Sequence, residues 1–146
     1  MPSWKAGTKS GPVKKTEYVI DSFALLAYFQ GEAGGLKVRA LMKEARAGES
    51  SLHLSLINFG EILYIVERRR GAQAAETVRA DISRLPVQIA AVTVERVIAA
   101  AHLKAHHAIS YADAFVVALA QELDATVVTA DPEFRKVESQ VALLWL

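Results

Sequence analysis

Tyr18-Val19-Ile20-Asp21-Ser22, running straight into Phe23-Ala24-Leu25-Leu26-Ala27-Tyr28-Phe29, is the stretch that decides how the rest of the chain is read. The apolar run Tyr18 to Ile20 reads as a short buried strand. Asp21 or Ser22 can cap a helix through Ala24 to Phe29, because a side-chain oxygen there accepts backbone N–H groups left over at a helix start. Downstream, a Gly-rich loop is expected over Gly31 to Gly35, then a second helix ending near Gly48. Ser51 to Ser55 alternates apolar and polar residues as a strand does, and a longer helix follows from Leu56 to Arg70, stopped by Gly71. Further helices are expected over Gln73 to Leu85, from a Thr93 cap to His106, and from Ser110 to Leu123. Strands are expected over Val87 to Val92, Thr126 to Thr129 and Val141 to Leu146, with a short helix restarting at Asp131-Pro132.

Short apolar strands alternating with helices argue for an α/β domain with a parallel sheet covered on both faces. Ligands of such sheets sit beyond the carboxyl ends of the strands, beside a topological switch point. Asp21 and Asp131 each fall just past the end of an expected strand, so both belong to that edge.

Composition narrows the possibilities. The 146 residues suffice for one domain, and 52% hydrophobic with 23% charged residues excludes wholesale disorder. A net charge of +1 excludes a strongly basic nucleic-acid coat, so any positive surface is local. The absence of cysteine removes disulfides, thiolate nucleophiles and Cys-based zinc sites. No apolar run approaches the roughly 20 residues that span a bilayer. Residues 1–16 are polar and basic without a signal-peptide core, and are expected to form a flexible leader before a domain over 17–146. A cytoplasmic location is the expectation.

Four acids stand out, and each has an adequate structural reading. Asp21 and Asp131 can be helix caps, Asp113 three residues after Ser110 resembles a capping box, and Glu61 could lie on a solvated face. Helical spacing adds to this for two of them. Glu61 has Ile57, Asn58, Tyr64 and Ile65 at three and four residues, and Asp113 has Ile109, Ser110, Val116 and Val117. A carboxylate on an apolar face is costly unless paired, hydrogen-bonded, protonated or bound to a cation. Were the four to converge, an oxygen-only ligand set with open positions would favour Mg²⁺ or Mn²⁺, which can activate water and clamp a phosphate.

At these residues the sequence resembles the PIN-domain family, and within it the VapC-type toxin ribonucleases of VapBC toxin–antitoxin systems. The resemblance rests on Val19-Ile20-Asp21-Ser22, Asn58-Phe59-Gly60-Glu61, Ile109-Ser110-Tyr111-Ala112-Asp113-Ala114 and Val128-Thr129-Ala130-Asp131-Pro132-Glu133-Phe134, and covers Tyr18 to Leu146. It implies a parallel sheet of order 3-2-1-4-5 and catalytic metal ligation by Asp21, Glu61, Asp113 and Asp131. Ser22, Asn58 and Thr129 would orient the ligands by hydrogen bonds. It further implies hydrolysis of RNA phosphodiesters, a small antitoxin protein as partner, and a homodimer. The alternatives are an RNA-processing nuclease of the same fold without an antitoxin, and a binding module with a silent site.

Other features weigh less. Arg68-Arg69-Arg70 end a helix, where the helix dipole favours cations, and could also contact an RNA backbone. His102, His106 and His107 lack the His-Glu-x-x-His pattern, since Leu103 follows His102, and read as a helix end. Gly31, Gly34 and Gly35 form no dinucleotide fingerprint or P-loop. Leu25, Leu26, Tyr28 and Phe29 read as core on one face, with the other face open to a partner.

Overall fold

A computed structural model describes residues 15–146. Residues 1–14 of the expected leader lie outside the described residues, and Thr16 already begins the first strand. The elements run β1 (Thr16–Ile20), α1 (Ser22–Gln30), α2 (Ala33–Arg46), β2 (Ser50–Ser55), α3 (Leu56–Arg70), α4 (Ala72–Ile82), β3 (Val87–Ala90), α5 (Val94–His106), α6 (Tyr111–Leu123), β4 (Thr126–Thr129), a 3₁₀ helix (Pro132–Val137) and β5 (Ala142–Trp145). The sheet order is β3-β2-β1-β4-β5 and every pairing is parallel, as expected.

The first described strand, β1, lies at the centre of this sheet. The chain builds outward through β2 and β3, then returns to place β4 on the other side of β1. The order therefore reverses between β1 and β4, and sheets of this kind take their ligands beyond the carboxyl ends of the strands at such a switch point. Successive β1 residues point to opposite faces. Ile20 packs with Leu52, Leu54 and Val128 under the first four helices, while Val19 joins Val127 and the apolar side of α5 and α6. A central strand buried on both faces must be apolar throughout, which is why Tyr18-Val19-Ile20 is so informative.

One expected loop is instead helical. Gly34 and Gly35 belong to the first turn of α2, which starts at Ala33. A Cβ at Gly35 would stand 2.6 Å from the Ala27 carbonyl oxygen and 2.9 Å from Tyr28 Cα, so this glycine lets α1 and α2 touch backbone to backbone. Gly31 is the residue that ends α1: at φ 68° it turns left-handed and its N–H caps the Ala27 and Tyr28 carbonyls. The other boundaries hold within a few residues; α4 ends at Ile82 rather than Leu85. No helix among the described residues is long and apolar enough to cross a membrane.

Candidate active site

The site grows from the end of β1. Asp21 is 2% exposed, and both its oxygens are engaged. Oδ1 accepts the Ala24 N–H at 2.7 Å, capping α1, and Oδ2 accepts the Thr129 hydroxyl at 2.5 Å. The cap reading and the site reading of Asp21 are thus compatible. Thr129, fully buried at the end of β4, also accepts the Asp131 N–H on the same hydroxyl oxygen at 3.0 Å. A single threonine hydroxyl therefore ties together the two strand ends that carry Asp21 and Asp131. Asp131 in turn caps the 3₁₀ helix, accepting Glu133 N–H on Oδ1 at 2.9 Å.

α3 brings the next acid. Ser22, 1% exposed, donates to Glu61 Oε1 at 2.5 Å and accepts from Asn58 Nδ2 at 2.9 Å. Asn58 and Glu61 lie one turn apart on α3, so both reach the same serine on α1. Asn58 Oδ1 is buried without a hydrogen-bond partner beside them. Such an acceptor in a polar site ordinarily meets bound water or an ion. The apolar surroundings expected for Glu61 hold on one side only: Ile65 is buried, Tyr64 is half exposed, and Glu61 itself is half-buried.

α6 supplies the fourth acid. Ser110 caps this helix by accepting the Asp113 N–H at 3.1 Å, which sets Asp113 in the first turn. The preceding loop is held by two lysines: Lys104 donates to the Ile109 carbonyl at 2.8 Å and Lys136 to the Ala108 carbonyl at 3.2 Å.

Burial and charge act on two of the acids in the same direction. Burial pushes the Asp21 carboxyl from an ordinary 3.8 to about 7. The Thr129 hydroxyl and Ala24 N–H oppose this, while the charges of Asp113 and Asp131 add to it. Burial likewise pushes Asp113 up to about 6, against its hydrogen bond with Ser110, and the charges of Asp131, Glu61 and Glu133 raise it further. Asp113 thus feels Asp131 and Glu61, and Asp21 feels Asp113 and Asp131. Glu133, which the sequence presents only as part of a motif, is a fifth; the short 3₁₀ turn after Asp131 carries it there, paired with Lys136 at 2.5 Å. Its one signal in the sequence is the two-residue spacing from Asp131.

The donor set is chemically apt for a hard divalent cation, being oxygen-only and electrostatically strained without a counter-charge. Among the described residues, however, no three His, Cys, Asp or Glu side chains sit close enough to enclose an ion by themselves. A cation held by one or two of these carboxylates would complete its shell with water.

The remaining expected residues fall around this centre. Arg68, Arg69 and Arg70 are exposed at the end of α3. Arg69 lines a groove of about 500 Å³ with Phe23, Lys37, Ala130 and Leu146, next to the segments bearing Ser22 and Asp131. Neither this groove nor a larger cleft of about 670 Å³, with Tyr28, Arg39, Arg46 and Arg84 in its walls, is lined by any of the four site acids. His102 and His106 stack at 4.5 Å on the exposed end of α5, where His106 Nδ1–H donates to the His102 carbonyl at 2.9 Å.

Comparison with known proteins agrees with the architecture. No curated protein matches the sequence. Among solved structures, VapBC2 from Rickettsia felis bound to a promoter DNA fragment matches with a TM-score of 0.70 at 16% identity, over 90% of this chain and 99% of that one. DNA-bound VapBC from Salmonella typhimurium matches with a TM-score of 0.69 at 15% identity, over 88% and 97%. Mycobacterium tuberculosis VapC20, described as a sarcin-ricin loop cleaving toxin, matches with a TM-score of 0.56 at 22% identity, over 77% and 87%. At these identities the likeness is one of fold. The PIN domain model matches residues 18–140, nearly all of the described chain, and the protein belongs to the PIN-domain family.

Proposed function

We propose that the protein is a metal-dependent endoribonuclease of the VapC toxin type, with Asp21, Glu61, Asp113 and Asp131 as its metal-holding and catalytic acids. The observation that carries this reading is the hydrogen-bonded set at the switch point of a PIN fold, where the Thr129 hydroxyl joins Asp21 to the Asp131 backbone and Ser22 joins Glu61 to Asn58, whose Oδ1 is buried without a partner. A divalent cation such as Mg²⁺ or Mn²⁺, when bound, would supply the Lewis acidity that activates water and neutralises phosphate charge.

The chain's own groups divide the remaining work. Thr129 and the Ala24 N–H fix Asp21, and Ser22 fixes Glu61, so these two carboxylates hold their orientation. Asp113 is tethered less, through Ser110 alone, and is therefore best placed to take a proton from the attacking water as the phosphodiester is displaced in line. The arginines ending α3 would attract the RNA backbone.

A small antitoxin partner is supported by the VapBC complexes among the matched structures, and a homodimer is part of the same VapC-type proposal. A cytoplasmic location belongs to the same proposal. The deciding experiment incubates labelled cellular RNA with antitoxin-free protein in Mg²⁺ or Mn²⁺, or in chelator, comparing wild type with Asp113→Asn. Metal-dependent cuts at a few sites, absent in the variant, are expected. Equal cutting by the variant would remove Asp113 from the mechanism, and a folded wild type without cleavage would refute the nuclease.

A further inference from the structure

α5 ends on two histidines that the acid centre does not use. His102 and His106 lie four residues apart, so their side chains rise from one face of the helix. Their rings meet there, with centroids 4.5 Å apart and planes inclined at 44°. Both residues are exposed, and the buried face of α5 is carried by Ala100 and Leu103 instead, so core packing does not hold the pair. The helix dipole favours positive charge at this end, but two imidazolium ions in contact would repel each other, and the ring contact suits neutral imidazoles. One ring is also oriented. A carbonyl oxygen can only accept, so the 2.9 Å contact of His106 Nδ1 with the His102 carbonyl requires the proton on Nδ1. In the neutral ring, Nε2 is then a free lone pair at the outer end of the side chain. Metal-bound histidines are commonly fixed in this way, one nitrogen donating to a backbone carbonyl while the other ligates. Among the described residues, no hydrogen bond engages the His102 ring, which leaves its nitrogens open beside that lone pair.

We propose that His102 and His106 form a two-imidazole chelate on the surface of α5 for a late first-row divalent cation, Ni²⁺, Cu²⁺ or Zn²⁺. Imidazole suits these ions, whereas Mg²⁺ holds to oxygen ligands and water, so the pair and the acids select different metals. Cβ atoms one turn apart are about 6 Å from each other, which lets both rings reach one ion at about 2 Å by side-chain rotation alone. Water fills the positions that the two rings leave. The unpaired carbonyls of the last turn add negative potential. Lys104 lies about 200° round the helix from His102, and its ammonium is engaged by the Ile109 carbonyl at 2.8 Å, so it does not crowd the ion. A bound cation fastens the turn from which Lys104 holds the loop into α6.

The test titrates Ni²⁺ into tag-free, full-length protein in excess Mg²⁺, following heat by calorimetry and the imidazole signals of the four histidines by proton NMR. The unpaired electrons of the ion should broaden the His102 and His106 signals first and together, before those of His53 and His107. His102→Ala and His106→Ala should each weaken binding at least about tenfold, since losing even a ligand's supporting hydrogen bond costs a metal site that much. His107→Ala should bind as wild type. Because His102 and His106 are exposed, the circular dichroism of both variants should match wild type. Affinity unchanged in both variants, an equal loss in His107→Ala, or displacement of Ni²⁺ by Mg²⁺ would overturn the proposal, and the last would assign the ion to the acids. The readout needs no RNA, so the proposal stands or falls apart from the nuclease reading.

Discussion

Replacing Asp113 by Asn removes one charge from a cluster whose members repel one another, so the loss of function should coincide with a gain in stability. Its carboxyl is raised from 3.8 to about 6, chiefly by burial and then by Asp131, Glu61 and Glu133. Taken whole, that rise corresponds to about 3 kcal/mol by which ionised Asp113 destabilises the folded chain at neutral pH. Partial exposure, and the cost of burying an amide in its place, reduce the expected gain to about 1–2 kcal/mol. For a domain of this size that is roughly 3–8 °C in Tm. The sign with pH follows from the raised folded-state value. The neutral form of wild type is favoured by folding, so its stability is greatest below the unfolded pKa near 4 and falls as pH rises through about 6. The variant's advantage should thus be full above pH 7, about half as large at pH 5, and absent at the lower end of the carboxylate range. Thermal unfolding in chelator at pH 8, 5 and 3.5 measures this. Adding Mg²⁺ should then stabilise wild type more than the variant. A variant less stable than wild type in chelator at pH 8, or an advantage that grows with acid, would show that Asp113 is not a strained member of the cluster.

Other perturbations probe the parts separately. Ser22→Ala breaks the Glu61–Ser22–Asn58 chain, leaving Asn58 Nδ2 without its acceptor. It should cost about 1–3 kcal/mol in denaturant unfolding and lower RNA cleavage roughly 10- to 100-fold. Gly35→Ala forces a Cβ to 2.6 Å from the Ala27 carbonyl oxygen and should destabilise by about 1–3 kcal/mol in the same assay, with no direct effect on the acids. Neutralising Arg68, Arg69 and Arg70 together should weaken binding of single-stranded RNA by the Asp113→Asn protein. It should also flatten the salt dependence, by about 0.7 in log–log slope for each phosphate that is no longer neutralised. An unchanged slope would assign the three arginines to the helix dipole alone.

Much of this molecule is readable from local sequence because its determinants are local. The strand Tyr18 to Ile20 and the caps Asp21, Thr93 and Ser110 depend on a few neighbouring residues, and each is where the pattern puts it. The α/β class follows from alternating strands and helices, and the strand order and the identities of the acids come with the family resemblance. The Gly31 to Gly35 segment misleads because its glycines serve different ends. Gly31 serves the local chain as a left-handed cap, whereas Gly35 serves a contact with α1 that no local pattern records.

Tertiary structure alone decided how the acids relate. Each of Asp21, Asp113 and Asp131 has a satisfactory explanation within its own few residues, and only the placement of β4 beside β1 lets the Thr129 hydroxyl join Asp21 to Asp131. Only the approach of α3 to α1 sets Glu61 and Asn58 on Ser22, and only the turn after Asp131 brings Glu133 within range of Asp113. The same holds for Tyr64, whose helical spacing suggests an apolar face and whose exposure depends on what packs beside it. Capping and periodicity are short-range and survive in the order of residues. Burial, charge repulsion and exposure depend on distances across elements far apart in the chain, and exist only once the sheet has closed around its central strand.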